Sequence, residues 1–363
     1  IQIGGLGVVT VAALFAMLSG RKISLMQRST MQDAISAPKV GGIVRLTRFI
    51  VRGTFLIELI GMIVMLPTFC INFGIKGIWM AAFHSVSAFC NAGFDILGTA
   101  ENKYPSLTGY IGDPTINIAI MLLIIVGGIG FLIWDDIYTN KWHFKKYHMQ
   151  SKVILVTTAI LIIAPAVFFF FCDFTGLPLA ERILASLFQS VTPRTAGFNT
   201  VDLPAMTGSS KAIMILLMLV GGSPSSTAGG MKTTTLAVLI LSAFSVCRKK
   251  DDAEVCGRRI DGSAVKNAAA VAVMYFLLFF VGGIVISTAE GLPLSTCLYE
   301  TASAVGTVGL TLGITPQLGV LSQLILIVLM YLGRVGGLTL IYAAISNKNQ
   351  SGAKLPLEKI TVG

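Results

Sequence analysis

Apolar residues in this chain form seven long runs that are separated by two alternating kinds of connection. A helix needs about 20 consecutive apolar residues to cross the hydrocarbon core of a bilayer. The pattern therefore predicts an all-α polytopic membrane protein. The runs cover residues 1–19, 50–71, 115–138, 151–172, 211–247, 264–288 and 318–346.

The two kinds of connection differ in charge. Three connections and the C-terminal tail hold 20 of the 27 basic residues, which by the positive-inside rule places them in the cytoplasm. The other connections, residues 72–114, 173–210 and 289–317, are longer, poor in Lys and Arg, and rich in Gly, Thr and Ser. The pattern predicts a multi-pass protein of the plasma (cell) membrane with a cytoplasmic C-terminus.

The composition supports the same class and excludes others. Hydrophobic residues make up 54% of the chain and charged residues only 12%, whereas soluble domains carry about 25% charged residues. The net charge of +10 does not indicate nucleic acid, because the basic residues lie between apolar runs rather than on one face. No phosphate-binding loop and no metal or nucleophile motif is present in the sequence. We therefore predict neither an enzyme nor an organic cofactor.

Each outer connection begins with a short apolar stretch that is followed by a glycine motif. The stretches, at residues 78–90, 180–192 and 294–305, are too short to cross a bilayer. Backbone that leaves a helix at membrane depth must be buried in protein or line a water-filled cavity. A re-entrant pore helix followed by a pore-lining loop satisfies this condition. Secondary transporters with discontinuous helices are the alternative, but inverted repeats are typical of them, and these three units run in one orientation.

The three glycine motifs align residue by residue. Each has a small or polar residue, a small apolar residue, a glycine and a large hydrophobe, which we expect to anchor the loop against its pore helix. A potassium filter needs stacked backbone carbonyls, and glycine reaches the positive φ that aims them at the axis. One such motif is more often a helix-packing site, whereas three copies in register favour a filter. The predicted ion-binding residues are Cys90, Asn91, Ala92 and Gly93; Arg194, Thr195, Ala196 and Gly197; and Gly306, Thr307, Val308 and Gly309.

Four segments of the chain resemble the Trk/Ktr/HKT superfamily of potassium transporters, and within it the Ktr-type membrane subunits. They are residues 1–7, 195–200, 221–233 and 333–338, and the resemblance covers essentially the whole chain. It implies potassium uptake through a channel-like pore with a carbonyl selectivity filter. Because each loop keeps one family-type glycine, we expect a filter that favours potassium without wholly excluding sodium.

The resemblance also implies an architecture of four outer helix–pore loop–inner helix units, pseudo-fourfold around one central pore. This chain departs from that pattern, because it shows three pore loops and opens on a segment that resembles the inner helix of the first unit. We therefore expect the first filter loop to lie upstream of Ile1. The implied division is 1–49 for the inner helix of the first repeat with a cytoplasmic loop, 50–150 for the second repeat, 151–263 for the third, and 264–363 for the fourth with the cytoplasmic tail.

The fifth apolar run is interrupted by ten residues that cannot continue a helix. Relative to alanine, a glycine in a helix costs about 1 kcal/mol and a proline about 3 kcal/mol. Either a kink or a gate across the pore fits, and the length of the interruption favours the gate. The resemblance implies the same, an intramembrane loop that obstructs the pore and moves to open it. The residues are Gly221, Gly222, Ser223, Pro224, Ser225, Ser226, Thr227, Ala228, Gly229 and Gly230.

Arg334 lies near the middle of the last apolar run. A charge at the bilayer centre costs about 2.5–3.5 kcal/mol or more, so the side chain must face the interior of the helix bundle. We expect it to hold the interrupted segment closed through hydrogen bonds to loop carbonyls, with a structural ion pair as the alternative. Lys232 directly follows the interruption and either lies near the ion pathway or extends to the cytoplasm.

The resemblance implies partners as well as a transported ion. Potassium is the substrate, and sodium remains open as an activator or a co-transported ion. Ktr-type membrane subunits pair with a cytosolic ring of nucleotide-binding regulatory subunits and form homodimers with one pore in each protomer. The basic connections at 21–52, 141–152 and 248–266 are predicted to contact that ring or anionic lipid of the bilayer.

Overall fold

The computed structural model shows a mostly helical chain. Its sheet is a hairpin of two short strands, β1 (Glu254–Val255) and β2 (Arg258–Arg259). The ends of the first and last predicted apolar runs, at 16–19 and 336–346, and the C-terminal tail lie outside the described residues. The described residues are 1–7, 10–12, 14–15, 24–35, 42–250 and 252–335.

Most of the named helices follow one another in three groups, each with a long apolar helix, then a short helix, then one further helix or a pair of helices. Short 3-10 turns lie at Thr108–Tyr110, Phe144–Lys146 and Thr315–Gln317. The α-helices, in chain order, are α1 (Gln2–Leu6), α2 (Leu25–Ile35), α3 (Ile43–Phe73), α4 (Lys76–Phe89), α5 (Pro114–Ile129), α6 (Phe131–Asn140), α7 (Met149–Cys172), α8 (Leu179–Val191), α9 (Gly208–Leu219), α10 (Thr233–Cys247), α11 (Gly262–Glu290), α12 (Leu294–Val305) and α13 (Val320–Val335).

Helices α3, α7 and α11 are each long and apolar enough to cross a membrane. Their outward faces are strongly apolar: Phe55, Ile163 and Phe276 are 53%, 60% and 56% exposed. A monomeric soluble protein rarely exposes apolar patches of more than a few hundred Å². These faces are therefore suited to contact with lipid.

The apolar run at 115–138 differs from the single crossing that the pattern predicted. It forms two helices, α5 and α6, that meet at 95° across Gly130. Gly130 has a φ of 105°, a value that side chains rarely permit, and a Cβ there would lie 2.5 Å from the carbonyl oxygen of Pro224. The bend therefore exists where another part of the chain packs directly against the backbone.

The short helices α4, α8 and α12 occupy the three stretches predicted as pore helices, with bounds that agree to within two residues. Each packs against the long helix that precedes it, α4 on α3, α8 on α7 and α12 on α11. Pro178 and Pro293 stand directly before α8 and α12, where a fixed φ suits a helix start. The local sequence thus favours a helix start at α8 and at α12.

Candidate ion pathway

The three loops that follow the pore helices share one unusual backbone conformation. Outside glycine, a positive φ is uncommon, and holding a residue there costs about 1–3 kcal/mol. Alternation between left-handed and right-handed residues turns successive carbonyl groups towards the same side of a strand, as an ion filter requires. Two residues in each loop, separated by one, have positive φ: Asn91 (50°) and Gly93 (70°), Thr195 (65°) and Gly197 (83°), and Thr307 (53°) and Gly309 (89°).

The glycines of the three loops lie where the loops converge. A Cβ on Gly93 would be 2.3 Å from the carbonyl oxygen of Ala196 and 2.9 Å from the Cα of Gly197. A Cβ on Gly197 would be 2.3 Å from the carbonyl oxygen of Val308, whereas one on Gly309 would meet no atom of the described residues within 4 Å. The first loop therefore abuts the second and the second abuts the third.

Side chains of the pore helices tie the first and third loops in place. The Ser87 hydroxyl donates to the carbonyl oxygen of Phe94 at 2.7 Å. In the third loop, the backbone N–H of Gly309 donates to the Ser303 hydroxyl at 3.1 Å. In the second loop, Thr192, which ends α8, donates its hydroxyl to the carbonyl oxygen of Phe198. Each loop is thus held by a hydroxyl that lies at the C-terminal end of its own pore helix.

The large hydrophobe after each glycine is buried as predicted in the second and third loops but not in the first. Phe198 and Leu310 are buried and anchor their loops. Phe94, in contrast, is 61% exposed within the described part of the chain, so its expected anchoring role is wrong here. Because Gly93 itself packs on the second loop, the first loop has a neighbouring loop as its support.

Two of the predicted ion-binding residues have side chains that bind groups outside the converging loops. The Arg194 guanidinium is buried and donates to the Thr158 hydroxyl on α7 at 3.4 Å. The Cys90 thiol donates to the Gln2 side-chain oxygen at 3.4 Å. The Arg194 and Cys90 side chains are thus engaged elsewhere, and backbone carbonyls of these loops are groups suited to an alkali cation. No group of three or more His, Cys, Asp or Glu in the described ranges is placed to hold a metal.

The predicted interruption of the fifth run separates two helices in the structure. Helix α9 ends at Leu219 and α10 begins at Thr233. The base of the loop between them is closed because Gly221 N donates to Met231 O at 2.7 Å and Thr233 N donates to Gly222 O at 3.0 Å. Residues 220–232, which we call the intramembrane loop, thus form a folded segment rather than a simple kink.

The backbone of the intramembrane loop finds its hydrogen-bond partners at the bend between α5 and α6. Ser223 N donates to Gly128 O at 2.9 Å, and Thr227 N donates to Gly127 O at 3.2 Å. In the opposite direction, Phe131 N donates to the carbonyl oxygen of Ser225 at 2.7 Å. The bend therefore satisfies polar groups that the interrupted helix leaves free, as burial at membrane depth demands.

The intramembrane loop also contacts the end of α4 and the loop that follows α12. The Thr227 hydroxyl donates to the carbonyl oxygen of Phe89, the last residue of α4, at 3.0 Å. A Cβ on Gly229 would lie 2.1 Å from the Thr307 hydroxyl oxygen. The loop is therefore packed directly against the segments that lead into the first and third filter loops.

Arg334 and Lys232 both bind carbonyl groups of this loop. Arg334 donates to Thr227 O at 2.9 Å and also to Gly4 O, and the Lys232 ammonium donates to Ala228 O at 2.8 Å. The structure thus contains the hydrogen bond expected of Arg334, and Lys232 turns back to the loop. Within the described ranges neither side chain forms an ion pair, so two uncompensated cations lie at the intramembrane loop.

Sequence reasoning missed one buried acid behind the third loop. Glu300 lies on α12, is 4% exposed and accepts three hydrogen bonds from residues that follow Gly309. A signal was available, because an acid within a short apolar stretch at membrane depth is costly and usually functional. The glycine motifs alone did not reveal it.

Comparison with known proteins gives consistent results. The sequence profile of the TrkH family, described as a cation transport protein, matches residues 1–352. The chain is 35% identical to the Ktr system potassium uptake protein B of Bacillus subtilis over 371 residues, covering 100% of this chain and 81% of that protein. It is 37% identical to the potassium/sodium uptake protein NtpJ of Enterococcus hirae over 378 residues, covering 100% and 82%.

A solved structure also has the same fold. The potassium transporter TrkH from Vibrio parahaemolyticus superposes with a TM-score of 0.70 at 16% sequence identity. The match covers 95% of this chain and 70% of that one. At this identity the likeness establishes the fold alone.

Proposed function

The chain belongs to the TrkH family of cation transport proteins, as its motifs predicted, and we propose that it takes up potassium ions through one channel-like pore. The family is one of transporters and not of enzymes. The proposal assigns the filter to the backbone of residues 90–93, 194–197 and 306–309. It assigns the gate to the intramembrane loop together with Lys232 and Arg334.

The backbone conformation of three loops supports the filter. In each loop two residues with positive φ flank one residue without it, and the three loops converge on their glycines. Glycines that served only helix packing would not require an asparagine or threonine at positive φ two residues earlier. Such a residue is strained, and strain of this kind persists where function depends on it. Carbonyl rings that replace the hydration shell of potassium supply that function.

In this proposal the three described loops form three sides of a pseudo-fourfold pore. A fourth helix–loop–helix unit then forms the fourth side. Residues 1–49 supply the inner helix of that unit. The close packing of Gly5 on Cys90, with a Cβ 2.6 Å from the sulfur, supports its position beside the second unit, 50–150. The third and fourth units are 151–263 and 264–363.

The pore is closed in this proposal by the intramembrane loop. Opening requires that the loop give up its hydrogen bonds to Arg334 and to the bend at Gly130, so any signal that moves either element controls flux.

We propose that a cytosolic nucleotide-binding ring gives that signal at the basic connections, that the chain forms a homodimer, and that its C-terminus is cytoplasmic. The Enterococcus relative carries sodium in its name, and sodium is accordingly the second ion to test, as activator or substrate.

A transport assay tests this function. The protein is expressed from its native reading frame in cells that lack their own potassium uptake. We expect growth at low potassium and saturable rubidium uptake that potassium inhibits more strongly than sodium, because backbone carbonyls replace potassium hydration better than sodium hydration. Cells with the empty vector serve as the control. Protein that reaches the membrane and leaves growth and uptake at the vector level would contradict the proposal.

A further inference from the structure

The strongest unexplained feature of the chain is the carboxylate of Glu300. It lies on α12, nine residues before Gly309, and is 4% exposed. Removing an ionised carboxylate from water is costly unless hydrogen bonds satisfy its oxygen atoms. The question is therefore which groups donate hydrogen bonds to the carboxylate and which segment of the chain these hydrogen bonds hold in place.

We call residues 306–315, the third loop and the turn that follows it, the third filter strand. The three hydrogen bonds described for this carboxylate come from the outer end of that strand, at residues 311–315. Oε1 accepts from the Thr311 hydroxyl at 2.7 Å and from Leu312 N at 2.9 Å. Oε2 accepts from the Thr315 hydroxyl at 2.8 Å. The two hydroxyls also contact each other at 2.9 Å, and Gly313 N donates to Thr311 at 2.9 Å. One side chain thus orders the whole turn that leaves the filter.

Glu300 acts together with the hydroxyl of Ser303. Residues three apart lie on the same face of a helix, so these two side chains stand one above the other on α12. Ser303 holds Gly309 N, and Glu300 holds Leu312 N three residues further along the strand. The third filter strand is therefore fastened to its pore helix at two levels, once at the filter glycine and once just outside it.

The first two loops are fastened differently. The contacts described for them include one pore-helix hydroxyl each, Ser87 in the first loop and Thr192 in the second. On α8, the buried Gln189 has no hydrogen-bond partner for either of its amide atoms in the described part of the chain. The outer fastening by a fully satisfied acid is thus a feature of the third loop.

A neutral amide can replace this carboxylate without loss of any contact. A glutamine oxygen accepts from Thr311 and Leu312 N, and its amide nitrogen donates to Thr315, whose hydroxyl then donates to Thr311. Alanine, in contrast, removes every contact and leaves a backbone N–H unpaired. Glutamine thus removes the negative charge and keeps the hydrogen bonds, whereas alanine removes both. Comparing the two substitutions shows whether the charge or the position of the strand matters.

We propose that Glu300 is a positioning residue that fixes the outer end of the third filter strand, and that discrimination between potassium and sodium depends on it. This role presupposes the potassium pore proposed above. Glu300 does not touch the ion. It acts through Leu312 N and the hydroxyls of Thr311 and Thr315, which hold the carbonyls near Gly309 at the spacing that fits potassium.

The test compares rubidium and sodium uptake, and the inhibition of rubidium uptake by sodium, for the parent, Glu300→Ala and Glu300→Gln. We expect Glu300→Ala to lower the preference for rubidium over sodium about fivefold to tenfold, since a backbone donor and two hydroxyls lose their acceptor. We expect Glu300→Gln to stay within about twofold of the parent, because it preserves the contacts. A change confined to the amount of protein would lower both uptakes equally and leave their ratio unchanged.

The matched control is Glu290→Ala. Glu290 also accepts from a backbone N–H and a hydroxyl, Gly319 N at 2.9 Å and Ser322 at 2.5 Å, but these tie α11 to α13 rather than to a filter strand. The ratio of rubidium uptake to sodium uptake in Glu290→Ala should match that of the parent. If Glu300→Ala does not reach the membrane, the double variant Thr311→Val with Thr315→Val, which removes two of the three donors, is measured instead and should show the same loss.

Three results would overturn the role of Glu300 while leaving the pore intact. They are a parental ratio in Glu300→Ala, a parental ratio in the double valine variant, and a Glu300→Gln ratio as poor as that of alanine. The last would mean that charge, and not position, sets the preference. A parent protein without potassium-selective uptake is a different outcome, because it removes the proposed pore itself.

Discussion

Replacing Gly197 by serine is expected to lower the preference of the protein for potassium over sodium sharply. Gly197 has a φ of 83°, and a Cβ there would lie 2.3 Å from Val308 O and 3.4 Å from the Cα of Gly93. The left-handed conformation costs a residue with a side chain about 1–2 kcal/mol. The clash with Val308 O also displaces the third loop, so the substitution disturbs all three described loops at the point where they meet.

The measurement is rubidium uptake with increasing sodium, together with growth at low potassium. We expect the preference for rubidium over sodium to fall about tenfold or more, because one displaced carbonyl ring changes the coordination of every ion that passes. Gly176→Ser is the matched control, since Gly176 is an exposed outer-loop glycine with no positive φ and no atom near its Cβ position. A Gly197→Ser protein with the preference of the parent would show that the repeated glycines serve packing.

Replacing Arg334 by alanine is expected to open the proposed pore. The substitution removes the hydrogen bonds to Thr227 O and to Gly4 O, and hydrogen bonds to charged groups contribute about 1.5–3 kcal/mol each. It also removes a cation that repels potassium at the loop. If one such bond favours the closed state, its loss raises the open fraction about tenfold or more. We expect a rise of that size in the rubidium uptake rate, with weaker regulation.

Arg334→Lys separates the two contributions. A lysine keeps the positive charge but has no planar fork, so it cannot bind the same two carbonyls in the same geometry. Uptake near the alanine value would show that hydrogen bonding closes the gate, and uptake near the parental value would show that charge does. Lys103→Ala is the control, because Lys103 is an exposed cation in the connection 72–114, outside the basic connections and away from the intramembrane loop. Unchanged flux and regulation in Arg334→Ala would refute the gate.

Several features of this protein follow from the sequence by itself. The positions of α4, α8 and α12 agree with the short apolar stretches to within two residues, because length and hydrophobicity are local properties of a segment. The interruption at residues 221–230 was equally readable, since four glycines and a proline within ten residues add up to a helix cost that single ones, such as Pro67 in α3 or Pro165 in α7, do not reach. The positive φ of Gly93, Gly197 and Gly309 also matches expectation, because glycine reaches that conformation without steric cost. The positive φ of the residue two positions before each glycine was not readable, because residues other than glycine rarely adopt it.

Other features were decided only when distant parts of the chain packed together. The bend at Gly130 accompanies the hydrogen bonds of the intramembrane loop, and Thr227 contacts Phe89 across 138 positions of sequence. Lys232 turns to the loop, Phe94 stays exposed, and Glu300 finds Leu312 N because of how helices and loops meet in space. Apolar runs and glycine motifs specify which segments enter the membrane. Which buried polar group finds which partner depends on contacts between residues that the sequence keeps far apart.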